Sequence, residues 1–433
     1  MVQKNLFLKV VRKLLLKTFV LLGLVGVFTP MFAECLEGAP IATLEIRGLE
    51  HTQKHVVERE LLNRSGTKFS QENYETEKLR LQDLDIFSEI SVDCQKQGAD
   101  SVTVVYSFKE IFRWIPAPAG KKTDRDGMML GLALANLNVF GEDIRAEVQY
   151  RTAVDPVFEK NEYAFYASSP YFAGHPLGWN LEFLRTDSWD DLRKFDDQSV
   201  LLDLDLDYGL NGNFSLLLSG AYRYLQGGAG HLPEIGTGFA IDFRDASIDT
   251  RNGIYMEFAL THVGAGVGNG KGENYTEFLG DGRAYLTLGR WVSGATALFR
   301  YRSGRVQNYD YFYHGGANTF RGHEADSNSL GINEMLLTKE ERFVLMERHA
   351  ASLWNVNFFY GIQLVAGLDG SLLWDEGCPG WKDYEGAVYG GVHLVIPALD
   401  RVRFEVGYSP DRGEPVFYFG LFDTTNSARW RSR

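Results

Sequence analysis

The sequence predicts a mainly β protein: an antiparallel transmembrane β-barrel of about 16 strands, preceded by a small α+β domain. Three observations lead to this prediction. The chain begins with a pattern typical of an export signal, the helical spacing of apolar residues stops near Phe112, and alternation of apolar with charged residues then takes over. This alternation places charges on one face of many strands, which would be costly in a dry core.

Residues 1–33 have the three parts of a secretory signal peptide. Five lysines and arginines lie within the first 17 residues, residues 18–28 are apolar, and Ala33 offers a small residue for cleavage. The apolar stretch is shorter than the roughly 20 residues that a spanning helix needs, so a signal anchor is the less favoured alternative. Glu34 precedes Cys35 where lipidation requires a small residue, and we therefore expect ordinary cleavage.

Composition restricts the classes of partner. Removal of the five cationic residues takes the formal net charge from −13 to −18, which argues against nucleic acid. No second apolar run reaches spanning length. Aromatic residues make up 13% of the chain, and this content suits the interfacial girdles of a membrane barrel.

Residues 36–110 predict a domain with the order strand, helix, helix, strand, strand. Thr52 is the expected N-cap of a first helix that continues to Leu62, and Ser70 is the expected N-cap of the second helix. Among the cysteines, Cys35 and Cys94 are candidates for a disulfide in an exported protein. Three isolated cysteines, including Cys378, are the alternative.

The rest of the chain, residues 111–433, alternates with a period of two residues. In its clearest segment, residues 202–208, three aspartates share one face and Leu and Tyr side chains share the other. In a soluble sandwich the apolar face would line a core, whereas in a membrane barrel it faces lipid and the acids face a wet lumen. The first strand is expected to be weak, and to pair poorly with the last, because Pro116 and Pro118 lack a backbone donor.

The element order of the first domain resembles a POTRA domain. The residues that carry this resemblance are Gly48, Gly66, Phe69, Leu84, Phe87 and Ile90. The resemblance implies a periplasmic domain that binds extended peptides by adding a strand to its sheet edge. An unrelated small α+β domain is the alternative.

The remainder resembles the BamA/TamA family of outer-membrane proteins, also called the bacterial surface antigen family. The motifs are Asn136-Leu137-Asn138-Val139-Phe140-Gly141; Asp242-Phe243-Arg244-Asp245 with Arg251-Asn252-Gly253; Gly315-Gly316 with Phe320-Arg321-Gly322-His323; Glu340-Glu341-Arg342-Phe343; and Leu368-Asp369-Gly370 with Trp374. The third motif is the most specific. It departs from the family pattern because Phe320 replaces a valine and His323 replaces an aromatic residue.

The resemblance implies that the Gly315–Gly322 loop folds into the barrel, where Arg321 contacts acids of the inner wall. Strand alternation separately places Glu340 and Asp369 on the lumen face, which makes both carboxylates candidate partners. A guanidinium binds a carboxylate through two parallel hydrogen bonds, and this fixes a loop more firmly than a lysine does. The alternative is a solvated arginine above acids that line water.

The last strand resembles the terminal aromatic strand that assembly machinery recognises. Its characteristic residues are Phe417, Phe419, Gly420 and Phe422. Eleven residues follow Phe422, so we expect either a tail that returns to the periplasm or altered terminal recognition.

The resemblance implies a factor for outer-membrane protein assembly, insertion or translocation in the bacterial outer membrane. The POTRA-like domain would capture clients in the periplasm, and the barrel would insert them. Expected partners are unfolded outer-membrane or exported proteins, outer-membrane lipid and accessory lipoproteins. A passive channel or a dedicated secretion pore is the alternative, because a single POTRA-like unit is present where inserting members usually carry several.

No sequence motif supports an active site. The glycine-rich run at residues 264–272 lacks the glycine and the Ser or Thr that a P-loop requires, and a strand pattern follows it, so we expect a flexible hairpin loop. The nine histidines show no metal-ligand spacing, and the serines lack a nucleophile-elbow context. We therefore expect no enzyme activity, no cofactor and no metal site.

Overall fold

The computed structural model describes residues 35, 37–97, 101–123, 127–154, 160–226, 230–247, 249–264, 274–316, 319–326, 328–354, 356–380, 383–397 and 399–421. These residues form an N-terminal domain and a sixteen-stranded antiparallel sheet, which confirms the predicted mainly β fold. The predicted signal peptide, most of the glycine-rich run, Phe422 and the following tail lie outside the described residues. No described helix is both long enough and apolar enough to cross a membrane.

The N-terminal domain is a three-stranded sheet packed against two helices. Its elements are β1 (Ile41–Arg47), α1 (Lys54–Glu58), α2 (Gln71–Asp83), β2 (Phe87–Gln97) and β3 (Ser101–Glu110). The central strand, β3, is parallel to β1 and antiparallel to β2. The elements follow the predicted order, whereas the assignment of this domain to the POTRA type stays a prediction.

The two helices differ in how well local sequence predicted them. Ser70 caps α2 as predicted, because its side chain accepts a hydrogen bond from a backbone N–H of the first turn. The first helix ends at Glu58, well before Leu62, and the prediction of Thr52 as its N-cap was wrong. Thr52 instead accepts a hydrogen bond from Asn138 of the barrel (2.9 Å). The Thr52 hydroxyl therefore makes a tertiary contact rather than the helix cap that the local sequence predicted.

A disulfide joins Cys35 to Cys94 on β2, which decides between the two readings of the cysteines. The Cα atoms are 5.1 Å apart and the sequence separation is 59 residues. Closure of a loop of this length contributes about 4 kcal/mol to the stability of the domain by restricting the unfolded chain. Cys378 is free and exposed.

The sixteen barrel strands pair antiparallel with their neighbours. They are β4 (Trp114–Thr123), β5 (Gly127–Val139), β6 (Ile144–Ala153), β7 (Asn161–Ser169), β8 (Leu177–Asp190), β9 (Phe195–Asn211), β10 (Phe214–Leu225), β11 (Gly230–Asp242), β12 (Gly253–Val263), β13 (Asn274–Leu288), β14 (Trp291–Arg305), β17 (Asn333–Leu353), β18 (Val356–Trp374), β19 (Tyr384–Ile396), β20 (Leu399–Tyr408) and β21 (Pro415–Leu421). Two short strands, β15 (Phe312–Tyr313) and β16 (Leu330–Gly331), pair with each other between β14 and β17.

Strand β9 shows how alternation sets the two faces of the sheet. Leu202 and Leu204 are 47% and 42% exposed on the outer face, whereas Asp205 and Asp207 are buried on the inner face. Successive side chains of a strand point to opposite faces, so the face of one residue determines the face of every other residue in that strand. The lumen is therefore polar and the outer wall is apolar, as predicted.

The sheet returns on itself where β21 meets β4. Among the described residues this seam consists of Gly420 opposite Lys121 and Leu421 opposite Gly120, which is much shorter than any other strand pairing in the barrel. The two prolines of β4 remove two backbone donors from that strand. The described part of the seam is thus the least hydrogen-bonded junction of the sheet.

The N-terminal domain binds the rim of the barrel at separated places. At the β5–β6 turn Arg59 pairs with Asp143 (2.7 Å), and between β11 and β12 the Ser247 hydroxyl donates to Asp83 (2.8 Å). Further hydrogen bonds join Gln53 to Gly141, Asp85 to Arg145, Gln82 to Arg348, and Glu110 to Asn357. Because these contacts involve strands that are far apart around the barrel, they hold the N-terminal domain across one end of the barrel lumen.

Candidate functional site: the loop between β14 and β17

The connection between β14 and β17, residues 306–332, contains the most specific sequence motif and is called the lumen loop below. Phe320, Arg321 and His323 are 0%, 6% and 3% exposed. A loop that projected into water would leave these large side chains accessible. The lumen loop therefore folds into the barrel, as the resemblance implied for Arg321.

Two glycines form the turn that directs the lumen loop inward. Gly315 and Gly316 have φ values of +132° and +107°, in the region that side chains disfavour. A Cβ atom on Gly315 would also lie 2.5 Å from the backbone nitrogen of Ala325. The turn thus requires glycine at Gly315 for both conformation and space, which accounts for this part of the motif.

Arg321 lies at the centre of a buried group of charges, called the Arg321 centre below. Its Nε and Nη2 donate to the two carboxylate oxygens of Asp369 (2.7 and 2.8 Å), and its backbone N–H donates to the same carboxylate (3.0 Å). Its Nη1 donates to Glu405 (3.1 Å). The lumen loop is therefore fixed to β18 and β20 by charge-assisted hydrogen bonds through both side chain and backbone.

Glu340, the second predicted partner, is a more distant neighbour of Arg321. Its carboxylate lies 3.8 Å from the guanidinium, and it accepts a hydrogen bond from the Tyr389 hydroxyl (3.0 Å). The Tyr389 ring stacks under the guanidinium, with 3.3 Å between the ring centroid and Cζ. Glu405 was not among the predicted partners of Arg321, because alternation gives a residue's face and not its distance across the lumen.

The charge of Arg321 is maintained by its surroundings. Burial alone would lower the pKa of Arg321, but the hydrogen bond to Asp369 and the charge of Glu405 raise the pKa above its ordinary value. The guanidinium therefore remains ionised and compensates carboxylates that are almost fully buried.

Gly407 on β20 permits this close approach. A Cβ atom at Gly407 would lie 1.6 Å from the backbone oxygen of Arg321. We expect Gly407→Ala to displace the lumen loop without removing a charge, at a cost of about 1–3 kcal/mol. The free energy of unfolding in urea measures this effect. Gly220→Ala on β10 is the matched control, because Gly220 also lies in a strand and no atom lies within 4 Å of its Cβ position. An equal loss there would contradict the packing argument.

A second group of charges binds the start of the lumen loop to another part of the wall; it is called the Asp310 centre below. Asp310 ends a short 3-10 helix, Asn308–Asp310. Arg223 on β10 donates to both of its carboxylate oxygens, one of them at 2.6 Å, and the Tyr275 hydroxyl on β13 donates at 2.9 Å. Arg302 on β14 donates to the Asp310 carbonyl. In this centre the loop supplies the acid and the wall supplies the cations.

The β8–β9 turn adds to the Asp310 centre. Arg193 donates through Nε and Nη2 to the Tyr311 carbonyl (2.9 and 2.6 Å), and Asn308 donates to the Arg193 carbonyl (2.8 Å). Asp310 was not predicted from the sequence because it ends a single short 3-10 turn within a long loop, where no alternation assigns a face. The inward arginine on β10 was the one available signal, since a buried cation requires an anion.

Residues 136–359, more than half of the chain, match the Omp85 superfamily domain. The chain belongs to the Omp85 superfamily. The matched residues run from β5 into β18 and include the whole lumen loop. This membership confirms the BamA/TamA resemblance and implies a location in a bacterial outer membrane.

Solved Omp85-type structures show the same fold at low sequence identity. BamA from Haemophilus ducreyi lacking POTRA domains 1–3 aligns with a TM-score of 0.52 and 12% identity, over 88% of this chain and 84% of that chain. CdiB from Escherichia coli aligns with a TM-score of 0.59 and 15% identity, over 88% and 76%. CdiB from Acinetobacter baumannii gives 0.50 and 11%, over 88% and 73%. No curated protein sequence gives a significant match.

His323 occupies the motif position where the resemblance led us to expect an aromatic residue. Its ring packs 5.1 Å from the Phe320 ring and bonds Glu385 and the Glu324 carbonyl. Burial opposes protonation, but these hydrogen bonds together raise the pKa of His323. Through His323 the Omp85 loop thus makes a polar contact to Glu385 on β19.

Three described side chains offer metal-ligand atoms within 4.8 Å of one another: Glu340, His393 and Glu405. Both carboxylates already have cationic partners, since Glu405 binds Arg321 at 3.1 Å and Glu340 lies 3.6 Å from Arg401. Ion pairs therefore account for this cluster within the Omp85 barrel. The expected absence of a metal site stays a prediction.

The terminal strand β21 presents alternate residues to the two faces. Phe417 is 68% exposed on the outer wall, and the Phe419 ring packs 5.2 Å from Phe404. Tyr418 points inward and its hydroxyl donates to the His323 carbonyl (3.2 Å). The strand next to the seam is therefore attached to the lumen loop, a contact that the predicted terminal residues did not include.

Proposed function

We propose that the chain is an outer-membrane protein assembly or translocation factor whose N-terminal domain captures extended client segments in the periplasm. Superfamily membership supports insertion or translocation in general. The observation that carries the finer proposal is the free edge of the N-terminal sheet. At the outer edge of β1, residues 66–69 cover the start of the strand, through hydrogen bonds of Ile41 with Thr67 and Gly66 (2.8 Å each). No described strand pairs with the outer side of β2.

The position of the N-terminal domain supports client transfer at the seam. One apolar cluster contains its core together with Ala119 on β4, Ala135 on β5, Phe359 on β18 and Val402 on β20. These barrel strands lie on both sides of the β21–β4 junction. A client strand bound to β2 is therefore held near the junction that has the fewest hydrogen bonds among the described residues, where insertion of a new strand breaks little of the described pairing.

The contents of the lumen argue against a permanently open channel. The lumen loop is attached to β18 and β20 at the Arg321 centre, and to β10, β13 and β14 at the Asp310 centre. A passive pore would conduct ions without displacement of this loop. A dedicated secretion pore differs from a general assembly factor only in the number of its clients, and that difference is measurable.

Depletion of the protein followed by quantitative outer-membrane proteomics tests this role. General assembly predicts a broad loss of other barrel proteins, and dedicated translocation predicts the loss of one or a few exported proteins. If neither class declines and the purified protein conducts ions in a planar bilayer, the passive channel replaces the proposal.

Client capture at β2 is tested by site-specific photo-crosslinking. A crosslinking amino acid at the exposed Gln95 on β2 is expected to trap unfolded client chains, because strand addition brings a client backbone within reach of that position. The matched control position is the exposed Glu75 on α2. Equal trapping at both positions, or none at Gln95, would refute capture at this edge.

A further inference from the structure

An ion pair lies on the apolar outer wall of the barrel. The Lys339 ammonium donates to Glu341 (2.6 Å) and to the hydroxyl of Ser293 (2.6 Å), and that hydroxyl donates to Glu341 (2.9 Å). The charged side chains are 46% and 43% exposed. Neither the lumen loop nor the N-terminal domain uses them, so the lumen chemistry described above does not explain the pair.

The strand register places this ion pair between two aromatic contacts. Lys339 is opposite Ala295 on β14 and Leu368 on β18, and both of these side chains point outward. Along β14, Trp291 packs on Phe343 at one side of the pair, and Phe299 packs on Trp374 at the other. Because aromatic girdles mark the two membrane interfaces, the pair lies within the apolar band, where a lysine costs about 2–4 kcal/mol at the midplane and less near an interface, and a carboxylate costs less than a lysine.

An apolar groove begins at Lys339 and runs across five neighbouring strands, from β12 to β18. Its volume is about 570 Å³. The floor consists of small residues, and bulkier side chains form the walls. The floor residues are Gly282, Ala284, Ala295 and Ala297, and the walls include Met256, Leu337 and Leu368. The wall of the barrel is thus concave beside the one polar group described above, and this shape suits a hydrocarbon chain.

We propose that this groove binds a zwitterionic phospholipid of the outer membrane. The lipid phosphate would lie near the Lys339 ammonium, its own ammonium near Glu341, and one acyl chain in the groove. The headgroup supplies a counter-charge to each member of the pair, which lowers the cost of placing both charges in the apolar band. A purely anionic headgroup would satisfy only the lysine. A second copy of this chain fits less well, because two copies of a concave surface enclose a void.

Lipid retention by the purified full-length protein tests the proposal. The protein is reconstituted in nanodiscs of phosphatidylethanolamine and phosphatidylglycerol and exchanged into detergent, and native mass spectrometry counts the retained lipid. Gly282→Leu fills the groove, and no atom lies within 4 Å of its Cβ position. Gly220→Leu is the matched control, since Gly220 lies between outward residues of β10, three strands from β13, and has equally open space. A Lys339→Met/Glu341→Leu variant removes the ion pair without filling the groove.

We expect wild type and Gly220→Leu to retain phosphatidylethanolamine. Gly282→Leu and the ion-pair variant should lose it by about tenfold, which corresponds to about 1.4 kcal/mol. Heat-modifiable migration establishes that each variant is folded. Equal retention in all four proteins, preferential retention of phosphatidylglycerol, or a lipid-free dimer that the ion-pair variant disrupts would each overturn the assignment.

Discussion

Replacement of Arg321 by alanine is expected to produce the largest loss of stability, about 3–5 kcal/mol. Asp369 and Glu405, whose side chains are 1% and 0% exposed, would remain buried without their shared cation. Some of the loss also comes from the loop, which is attached to β18 and β20 through this guanidinium. Urea unfolding of the refolded barrel and its heat-modifiable migration measure the effect.

Two further variants separate charge from geometry at the Arg321 centre. Arg321→Lys keeps the charge but not the two parallel hydrogen bonds to Asp369, so we expect an intermediate loss. Arg305→Ala removes an exposed arginine at the end of β14 and is expected to change stability by less than about 0.5 kcal/mol. If Arg321→Ala behaved like Arg305→Ala, the Arg321 centre would have no structural role.

Asp310→Asn is expected to have the second largest effect, a loss of about 2–3 kcal/mol. The substitution keeps the shape of the side chain but removes the carboxylate that binds the Arg223 guanidinium most closely, and leaves Glu234 at 3.6 Å as its anionic neighbour. We place the loss below that of Arg321→Ala because the Arg223 side chain is 22% exposed and water can compensate part of its charge. We also expect higher ion conductance in planar bilayers, because the first half of the lumen loop would leave β10 and β13.

Asp326→Asn is the matched control for Asp310→Asn. Asp326 belongs to the same loop and pairs with Arg412, but both side chains are at least 30% exposed, so we expect a change of less than about 1 kcal/mol. A double-mutant cycle with Arg223→Gln gives the energy of the Arg223–Asp310 pair directly. Additive losses in that cycle, together with unchanged conductance, would show that Asp310 does not hold the loop.

The two centres give the lumen loop opposite charges at its two attachment points. Arg321 offers a cation to wall acids, whereas Asp310 offers an anion to wall arginines. If the loop were reversed, Arg321 would face the wall arginines and Asp310 would face the wall acids, which repel them. The charges therefore specify which part of the loop lies against which strands. Transport through the lumen would require both attachments to open, and the two variants above test them separately.

The sequence by itself determined the fold class and the facing of the strand residues. Asp369, Glu340 and Asp205 were assigned to the lumen from alternation alone, because successive side chains of a strand point in opposite directions. Ser70 was assigned as an N-cap because capping depends on only three or four consecutive residues. These features repeat or act over short distances along the chain, so sequence reveals them without a three-dimensional arrangement.

The tertiary structure alone decided which of these residues meet. Glu405 reaches Arg321 because the curvature of the sheet brings β20 close to the lumen loop, and Thr52 was lost as a helix cap because Asn138 of the barrel binds it. Asp310 lies in a long loop between strands, and its partners come from strands about 90, 35 and 8 residues earlier. Such contacts depend on the path of the loop and on the closure of the sheet, and the periodicity of the sequence predicts neither of them.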